Sequence, residues 1–581
     1  MTRLFNDPAA FSEDMLTGFL DAHAPYVTGV PGGVVRAQQT PPGKVAVIVG
    51  GGSGHYPAFC GIVGRGFADG AVVGNIFTSP SAREAYTVAR AAASDAGVLI
   101  TSGNYAGDVM NFTAAAEQLV AEGTDARVLF VTDDIASAPV EETDRRRGVA
   151  GDFVVFRIAG AAAEAGYDLD GVEDLARRAN SRTRTLGVAF SGCTLPGAGA
   201  PLFTVPDRRM GVGLGIHGEP GVAEADLPSA AELAAQLVDG LLAERPPECS
   251  GRVAAILNGL GATKYEELFV LWATISRLLA EHGLTLVEPE VGELVTSLDM
   301  AGVSLTLTFL DDELETLWCA PTDTPAYRKG IARLAPDDRT QARIPKAPVI
   351  AQTDTAGIPS ASPASRQAAS TAARALEAMR ATLIDSADEL GRIDAVAGDG
   401  DHGRGMVKGV TAAVEAAAPL VERGAGITTL LSAAGDAWAA KAGGTSGALW
   451  GAGLCAAGAS LTDSAPTVTA EDVVGAVRTG LKAVSALGKA APGDKTLLDA
   501  AVPFADALEA SLRGGADLHT AWSEAVDVAQ AAALATAELL PRVGRARPLA
   551  ARSIGTPDAG AISYALCARS ALSAMTKEQV G

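Results

Sequence analysis

Cysteine pairs, basic clusters and long apolar runs are all missing from this 581-residue chain, and aromatic residues make up only 5% of it. The six cysteines (Cys60, Cys193, Cys249, Cys319, Cys455, Cys567) are far apart, with no C-x-x-C pair, which argues against a disulfide framework and for reduced, mostly buried thiols. Lys and Arg number 46 against 68 Asp and Glu, a formal charge of -22. That field repels phosphate backbones and anionic membranes, so the expected partners are small molecules, not nucleic acid or membrane. A nucleotide stays admissible where metal ions or helix N-termini offset the like charge. No window approaches the about 18 charge-free apolar residues of a membrane span, and the opening MTRLFNDPAAFSEDML lacks a basic stretch followed by an apolar one. A cytoplasmic protein is expected. With 48% hydrophobic and 20% charged residues the chain is globular, with cores of small aliphatic side chains.

The length exceeds what one core serves, at roughly 150 residues per domain. From about 40 to 330, short β-branched runs (VAVIV at 45–49, VLIT at 98–101, VLFV at 128–131, RVAAIL at 252–257) alternate with Ala-rich amphipathic stretches. This predicts an α/β domain over 1–333, with ligands at the loops that follow its strands, such as TDD at 132–134. Pro, Ser, Thr and Ala then displace the periodicity, giving a linker over 334–365. Beyond it, 366–577 is nearly all helix-forming and predicts an all-α domain. No internal repeat is visible.

Histidine is scarce as well: His23, His55, His217, His282, His402 and His519, three of which (His55, His217, His402) fall inside Gly-rich loops. GGGSGH at 50–55 follows the VAVIV run. Its Gly52, Ser53 and Gly54 either form a plain strand-to-helix turn or let backbone N–H groups approach a ligand beside His55. GNYAGD at 103–108 precedes a helix expected to begin near Val109, and Asp108 either caps that helix or serves a ligand at the same strand edge as His55. GLGIHGEPG at 213–221 contains a formal G-x-G-x-x-G, but Glu-Pro-Gly is a poor helix opening, so the dinucleotide reading fails. A His217 walled by glycines and a proline is an accessible imidazole suited to nucleophilic or ligand work.

In the second domain Asp394, Asp399 and Asp401 recur at i, i+5 and i+7. They form either a solvated acidic turn or a convergence of oxygens on Mg²⁺, and three facing carboxylates without a cation repel. An EF-hand is excluded: counted from Asp399, Gly403 and Val410 fall at the fifth and twelfth positions, where a ligand and a bidentate Glu are required. GGTSG at 443–447 and GKAAPGDKT at 488–496 are polar loops at helix ends, where N–H groups can hold phosphate oxygens. The latter mimics a Walker A loop, but Asp494 interrupts Gly-Lys-Thr and the preceding LKAVSAL reads as helix, so a P-loop is rejected. RSIGTPDAG at 552–560 is a further Gly/Pro/Asp loop before a final helix.

Together GGGSGH, NIFTSPS (75–81), NYAGDVMNF (104–112), RRGVAGDF (146–153), GLGIHGEPG, GDGDHG (398–403), GGTSGALW (443–450), PGDKT (492–496) and RSIGTPDAG resemble the dihydroxyacetone kinase family, in order and over nearly the whole chain. The resemblance implies an N-terminal ketose-binding α/β domain and a C-terminal all-α barrel of helices that binds ATP. His217 would hold the substrate carbonyl as a hemiaminal, with His55 and Asp108 as base and orienting acid and with Gly52, Ser53, Gly54, Tyr56 and Gly103 lining the site. Asp394, Asp399 and Asp401 would hold two Mg²⁺ ions. His402, Gly403, Arg404, Thr445, Ser446, Gly488, Leu497, Arg545, Asp558, Ala559 and Gly560 would contact nucleotide. Both domains in one chain resemble the ATP-using branch, and a homodimer is a family expectation.

Such a hemiaminal discriminates ketoses from glycerol, which has no carbonyl to react. Two departures bear on the substrate. Where the dihydroxyacetone enzymes read Lys-Asn-Tyr this chain has Gly103-Asn104-Tyr105, and where they read Gly-His-Glu-Pro it has Gly54-His55-Tyr56-Pro57. The lost Lys and the enlarged space expected at Gly103 look like the branch that acts on ketotetroses such as erythrulose, with dihydroxyacetone second. The resemblance also admits two rivals: an FAD-AMP lyase (cyclising) side activity, and a non-catalytic ketose sensor, which the Mg²⁺ Asp set argues against.

Overall fold

In the computed structural model, which describes residues 2–213, 215–217, 222–247, 249–330, 359–398, 400–543 and 547–575, the VAVIV run lies at the heart of a six-stranded sheet. Its strands β1 (Val27–Val30), β2 (Gly33–Arg36), β3 (Ala46–Ser53), β4 (Gly70–Ile76), β5 (Val98–Gly103) and β6 (Ala126–Val131) stand in the order β1-β2-β4-β3-β5-β6. The last four in that order are parallel neighbours, and β1 and β2 add an antiparallel edge. β3 is buried at every residue, as a parallel strand covered on both faces must be. Its side chains alternate between two cores: Ile48 joins α2 (Ala82–Ala92) and α3 (Ala106–Ala121), and Val47 and Val49 join α4 (Gly151–Glu164) and α5 (Leu169–Ser181), with α1 (Phe11–Ala22) flanking.

The single alternating pattern expected over 40–330 resolves into two sheets, because periodicity reveals a strand but not its partner. RVAAIL belongs to the second, built from β7 (Thr183–Ala189), β8 (Arg209–Val212), β9 (Ala223–Asp226), β10 (Arg252–Gly259), β11 (Thr285–Leu286), β12 (Glu290–Gly292) and β13 (Gly302–Phe309). It is antiparallel except where β11 and β12 join β10. α4 touches strands of both sheets, which explains why it is buried at every position but its last. α6 (Ala230–Leu242) and α7 (Tyr265–Glu281) pack on the second sheet; α8 (Asp312–Trp318) and the short hairpin β14 (Thr322–Asp323) and β15 (Arg328–Lys329) follow.

A buried ion cluster ties β2, the start of β3 and the segment before β4 together. Asp69 is fully buried and accepts from Lys44 Nζ (2.6 Å) and Val47 N (2.9 Å), with Arg36 Nη1 at 3.1 Å. Burial pushes the Lys44 ammonium below its ordinary range, and Asp69 opposes that push. Asp69→Ala would leave two buried cations with only the partly exposed Glu164 carboxylate, 2.9 Å from Arg36 and 3.8 Å from Lys44. The expected loss is about 3–5 kcal/mol, read as a lowered denaturant midpoint. An unchanged midpoint would show the cluster to be energetically idle.

The chain divides at Val349 and Ile350 into two units, inside the segment expected as a linker. The second unit holds α9 (Pro363–Asp394), α10 (His402–Glu422), α11 (Ile427–Ala442), α12 (Gly444–Ala459), α13 (Ala470–Gly488), α14 (Leu498–Arg513), α15 (Leu518–Ala535) and α16 (Ala559–Ser573). Each packs on the next and α16 packs back on α9, closing a ring of helices with no strand among the described residues. α9 opens at Pro363, three residues earlier than the expected boundary at 366, because Ser362 caps it through Ser365 N (3.0 Å) and proline suits the first turn. Most of the expected linker, 334–358, lies outside the described residues. Among the described residues no helix is long and apolar enough to cross a membrane, and none of the six cysteines is in a disulfide, with Cys60, Cys193 and Cys567 buried.

Candidate active site

β4, β3 and β5 end side by side, and their carboxyl ends carry the first group of candidates. β3 runs through the glycines to Ser53, so GGGS is strand rather than the expected turn. The reversal falls at Gly54, whose φ of 104° glycine adopts without strain. Gly52 is there for close approach: a Cβ on it would lie 2.5 Å from Thr78 N in the loop after β4. Ser53 Oγ is spent on Ser12 Oγ of α1, 2.9 Å away. Tyr56 packs its ring edge-on to Phe19 at 6.2 Å and is not among the rings around His217.

His55 is 1% exposed and stacks on Phe77 at 5.1 Å. Its Nδ1 lies 2.7 Å from the Thr296 carbonyl. A carbonyl only accepts, so Nδ1 carries a proton, and in the neutral ring the lone pair is then on Nε2. His217, 5% exposed, stands edge-on to His55 (4.7 Å between centroids), Tyr105 (4.3 Å) and Phe77 (5.7 Å). The loops after β3, β4, β5 and β8 therefore wall one pair of histidines with aromatic rings. Arg147 steadies the His217 loop by donating to the Gly213 carbonyl (3.0 Å), and Asp134 holds Arg147 at 2.7 Å. The glycines and proline at 218–221 that framed His217 in sequence lie outside the described residues.

α3 begins at Ala106, not near Val109, so Tyr105 takes the cap position and Asp108 sits in the first turn, 5% exposed. Asp108 is therefore not the N-cap, although its first-turn position still suits a negative charge. The space expected to open at Gly103 is also taken: a Cβ there would lie 3.0 Å from the Tyr105 ring, 3.1 Å from Asp152 Oδ2 and 3.2 Å from the Gly148 carbonyl. The missing Lys side chain is matched by a carboxyl that α4 brings in. The TDD loop is structural, since Asp133 accepts from Val149 N (2.9 Å) and Gly151 N (2.7 Å) at the start of α4. Burial pushes Asp133 up to about 6, and burial together with Asp133 and Asp108 raises Asp152 well above the usual carboxylate range.

In the second unit α10, α12 and α16 begin at His402, Gly444 and Ala559. His402 joins them, with Nε2 2.9 Å from Ser563 Oγ and Nδ1 3.3 Å from Ser446 Oγ. Ser563 Oγ donates to the Gly560 carbonyl (3.0 Å), so it accepts from Nε2–H, and Nδ1 accepts from Ser446. Burial lowers the His402 pKa, opposed by Asp394 and Asp401, consistent with this neutral ring. Three helix N-termini around an uncharged imidazole favour phosphate. Thr445 adjoins Ser446, and Leu497 and Ala559 flank Gly560, where a Cβ would lie 3.4 Å from Leu497 Cβ. Gly488 ends α13 against Leu449, Arg404 is exposed on α10, and Gly403 is a packing glycine, since a Cβ would meet the Ala387 carbonyl at 2.0 Å. Arg545 lies outside the described residues. Lys495 Nζ donates to the Ser553 (2.7 Å) and Leu539 (3.1 Å) carbonyls, so it is a loop brace and not a P-loop lysine.

Asp394 is the last residue of α9, where the macrodipole disfavours a negative charge, and Asp401 stands at the N-cap position of α10 without a side-chain cap bond. Asp394 is therefore not placed for helix stability, and Asp401 gains only the dipole's favour without a cap bond. Asp558, which caps α16 through Ala561 N (2.7 Å), is pushed up to about 7 by burial, with Asp394 and Asp499 adding repulsion. Asp399 lies outside the described residues, among which no three His, Cys, Asp or Glu side chains are grouped to hold a metal. Two carboxylates nevertheless fit Mg²⁺, which takes its remaining ligands from water and phosphate, and a cation relieves such repulsion.

Several residues here escaped the sequence reading. Phe77, Tyr105 and Asp152 lie inside NIFTSPS, NYAGDVMNF and RRGVAGDF, beside residues that were singled out, whereas Thr296, Asp499 and Ser563 carry no local signal.

Residues 17–326 match the Dak1 domain and residues 396–573 the DAK2 domain. The chain is 61% identical to the D-erythrulose kinase of Mycolicibacterium smegmatis over 100% of both chains. It is 55% identical to the L-erythrulose kinase of Pectobacterium atrosepticum, over 97% of this chain and 95% of that relative. Among solved structures, the dihydroxyacetone kinase from C. freundii in complex with AMP-PNP and Mg²⁺ is similar at 31% identity and a TM-score of 0.51, covering 99% of this chain and 100% of that one.

Proposed function

Because the chain belongs to the dihydroxyacetone kinase family, we propose that it phosphorylates a hydroxyl of a short ketose with ATP, preferring the ketotetrose erythrulose, with dihydroxyacetone second. The observation that carries this reading is the enclosure of His217 by His55, Phe77 and Tyr105 at the strand ends. An imidazole held there can attack a ketose carbonyl through its lone-pair nitrogen: the C–N bond forms, the π pair moves to oxygen, that oxygen takes a proton and the other ring nitrogen releases one, leaving a neutral hemiaminal with no net change in protons. The covalent bond supplies the grip that a small polar substrate cannot obtain from buried area. His55 Nε2 then accepts the proton of the attacking hydroxyl, and Asp108 orients the substrate. In the second unit, the N-termini of α10, α12 and α16 bind the ATP phosphates. Asp394 and Asp401, with Asp399, would hold two Mg²⁺ ions, which would neutralise charge on the transferring phosphates.

The test is ATP consumption over dihydroxyacetone, glyceraldehyde and both erythrulose enantiomers, with glycerol as the carbonyl-free control. At least one erythrulose enantiomer should give the highest kcat/KM, and glycerol should give none. Highest kcat/KM on dihydroxyacetone would overturn the ketotetrose preference, and turnover of glycerol would overturn the hemiaminal.

A further inference from the structure

Asp152 is 2% exposed, and its Oδ1 accepts no hydrogen bond among the described residues. A buried carboxyl without a partner is costly, and one retained in a functional cleft calls for an explanation. The first turn of α4, where it stands, favours a negative charge, but no hydrogen bond among the described residues holds its side chain there. The cap of α4 is already provided by Asp133, which takes the N–H groups of Val149 and Gly151. No Lys or Arg among the described residues forms an ion pair with it.

Glycines clear the ground around this carboxyl. A Cβ on Gly148 would lie 2.5 Å from Oδ1, and one on Gly103 would lie 3.1 Å from Oδ2. The same Gly103 position lies 3.0 Å from the Tyr105 ring, whose centroid is 4.3 Å from that of His217. The carboxyl and the Tyr105 ring thus both border Gly103, and the same ring borders the imidazole that would hold the ketose. Burial and the neighbouring Asp133 and Asp108 favour its protonated form. A neutral carboxyl offers one donor and one acceptor, which is what a lone hydroxyl requires.

We propose that the Asp152 carboxyl hydrogen-bonds the additional hydroxyl of a four-carbon ketose and so sets the chain-length preference. This rests on the ketotetrose reading above. Dihydroxyacetone lacks that CHOH unit, so it would leave the carboxyl unanswered, and sites with buried polar groups discriminate strongly against analogues that lack the partner.

The experiment compares kcat/KM on erythrulose and on dihydroxyacetone for the full chain and for Asp152→Ala, Asp152→Asn and Gly103→Ala. Asp152→Ala should lose about 10–100-fold on erythrulose and change about threefold or less on dihydroxyacetone. Asp152→Asn keeps the shape and a donor, so it should retain most of the erythrulose activity. Gly103→Ala crowds the carboxyl without removing it and should shift the preference in the same direction as Asp152→Ala. If Asp152→Ala does not fold, the other two variants decide the matter by the same ratio. An equal fall on both substrates, or none on either, overturns the role. Failure of the unaltered enzyme to use erythrulose is a different result, which removes the ketotetrose reading itself.

Discussion

Replacing His217 with alanine is expected to lower kcat/KM for the best ketose by about 10³-fold while leaving ATP affinity and the melting temperature unchanged. The size follows from what is lost. Holding a small reactant in place is worth several orders of magnitude, and in the proposed hemiaminal one bond to one imidazole would supply most of the hold. The fold should tolerate the change: His217 sits on the loop after β8, and its neighbours His55, Phe77 and Tyr105 are fixed by other elements. Steady-state kinetics and nucleotide titration separate the two effects. Full affinity and turnover in the variant would falsify covalent holding and leave His217 as a wall of the pocket.

Asp401→Asn should cost about as much, roughly 10³-fold in kcat, with ketose binding untouched. Charge on the transferring phosphates is the main barrier that the second unit has to lower, and a neutral amide is a weaker ligand for a hard cation. The variant should therefore need more Mg²⁺ to reach its own maximum. Because Asp401 makes no side-chain cap bond and gives up only its charge at the N-terminus of α10, the melting temperature should fall little. Asp394→Asn should behave alike, and its removal from the C-terminal end of α9 should if anything stabilise that helix. A loss of kcat with no change in Mg²⁺ dependence would count against a metal role for these carboxylates.

The ketose site was legible wherever a motif kept its residues close in sequence. His217 and His55 stand out because glycines surround them, and both lie in the aromatic enclosure. Asp108 was singled out with the wrong helix start: α3 opens three residues early, which moves Asp108 from the cap position into the first turn. Gly103 shows the opposite error. Its missing side chain reads as space in the sequence, yet Asp152, 49 positions later, occupies it, because α4 lies between the two sheets and presents its first turn to the end of β5.

His217 and His55, with the carboxylates at 394 and 401, are determined by the sequence itself, because glycine, histidine and aspartate at short spacings fix local chemistry whatever the fold. The tertiary structure alone decided the rest. The tautomer of His55 depends on the Thr296 carbonyl, 241 residues away. The ring of helices closes only when α16 returns to α9. Asp152 meets Gly103 only because two sheets share one helix. Each of these is a contact between distant segments, set by packing, and packing partners leave no mark in a local pattern.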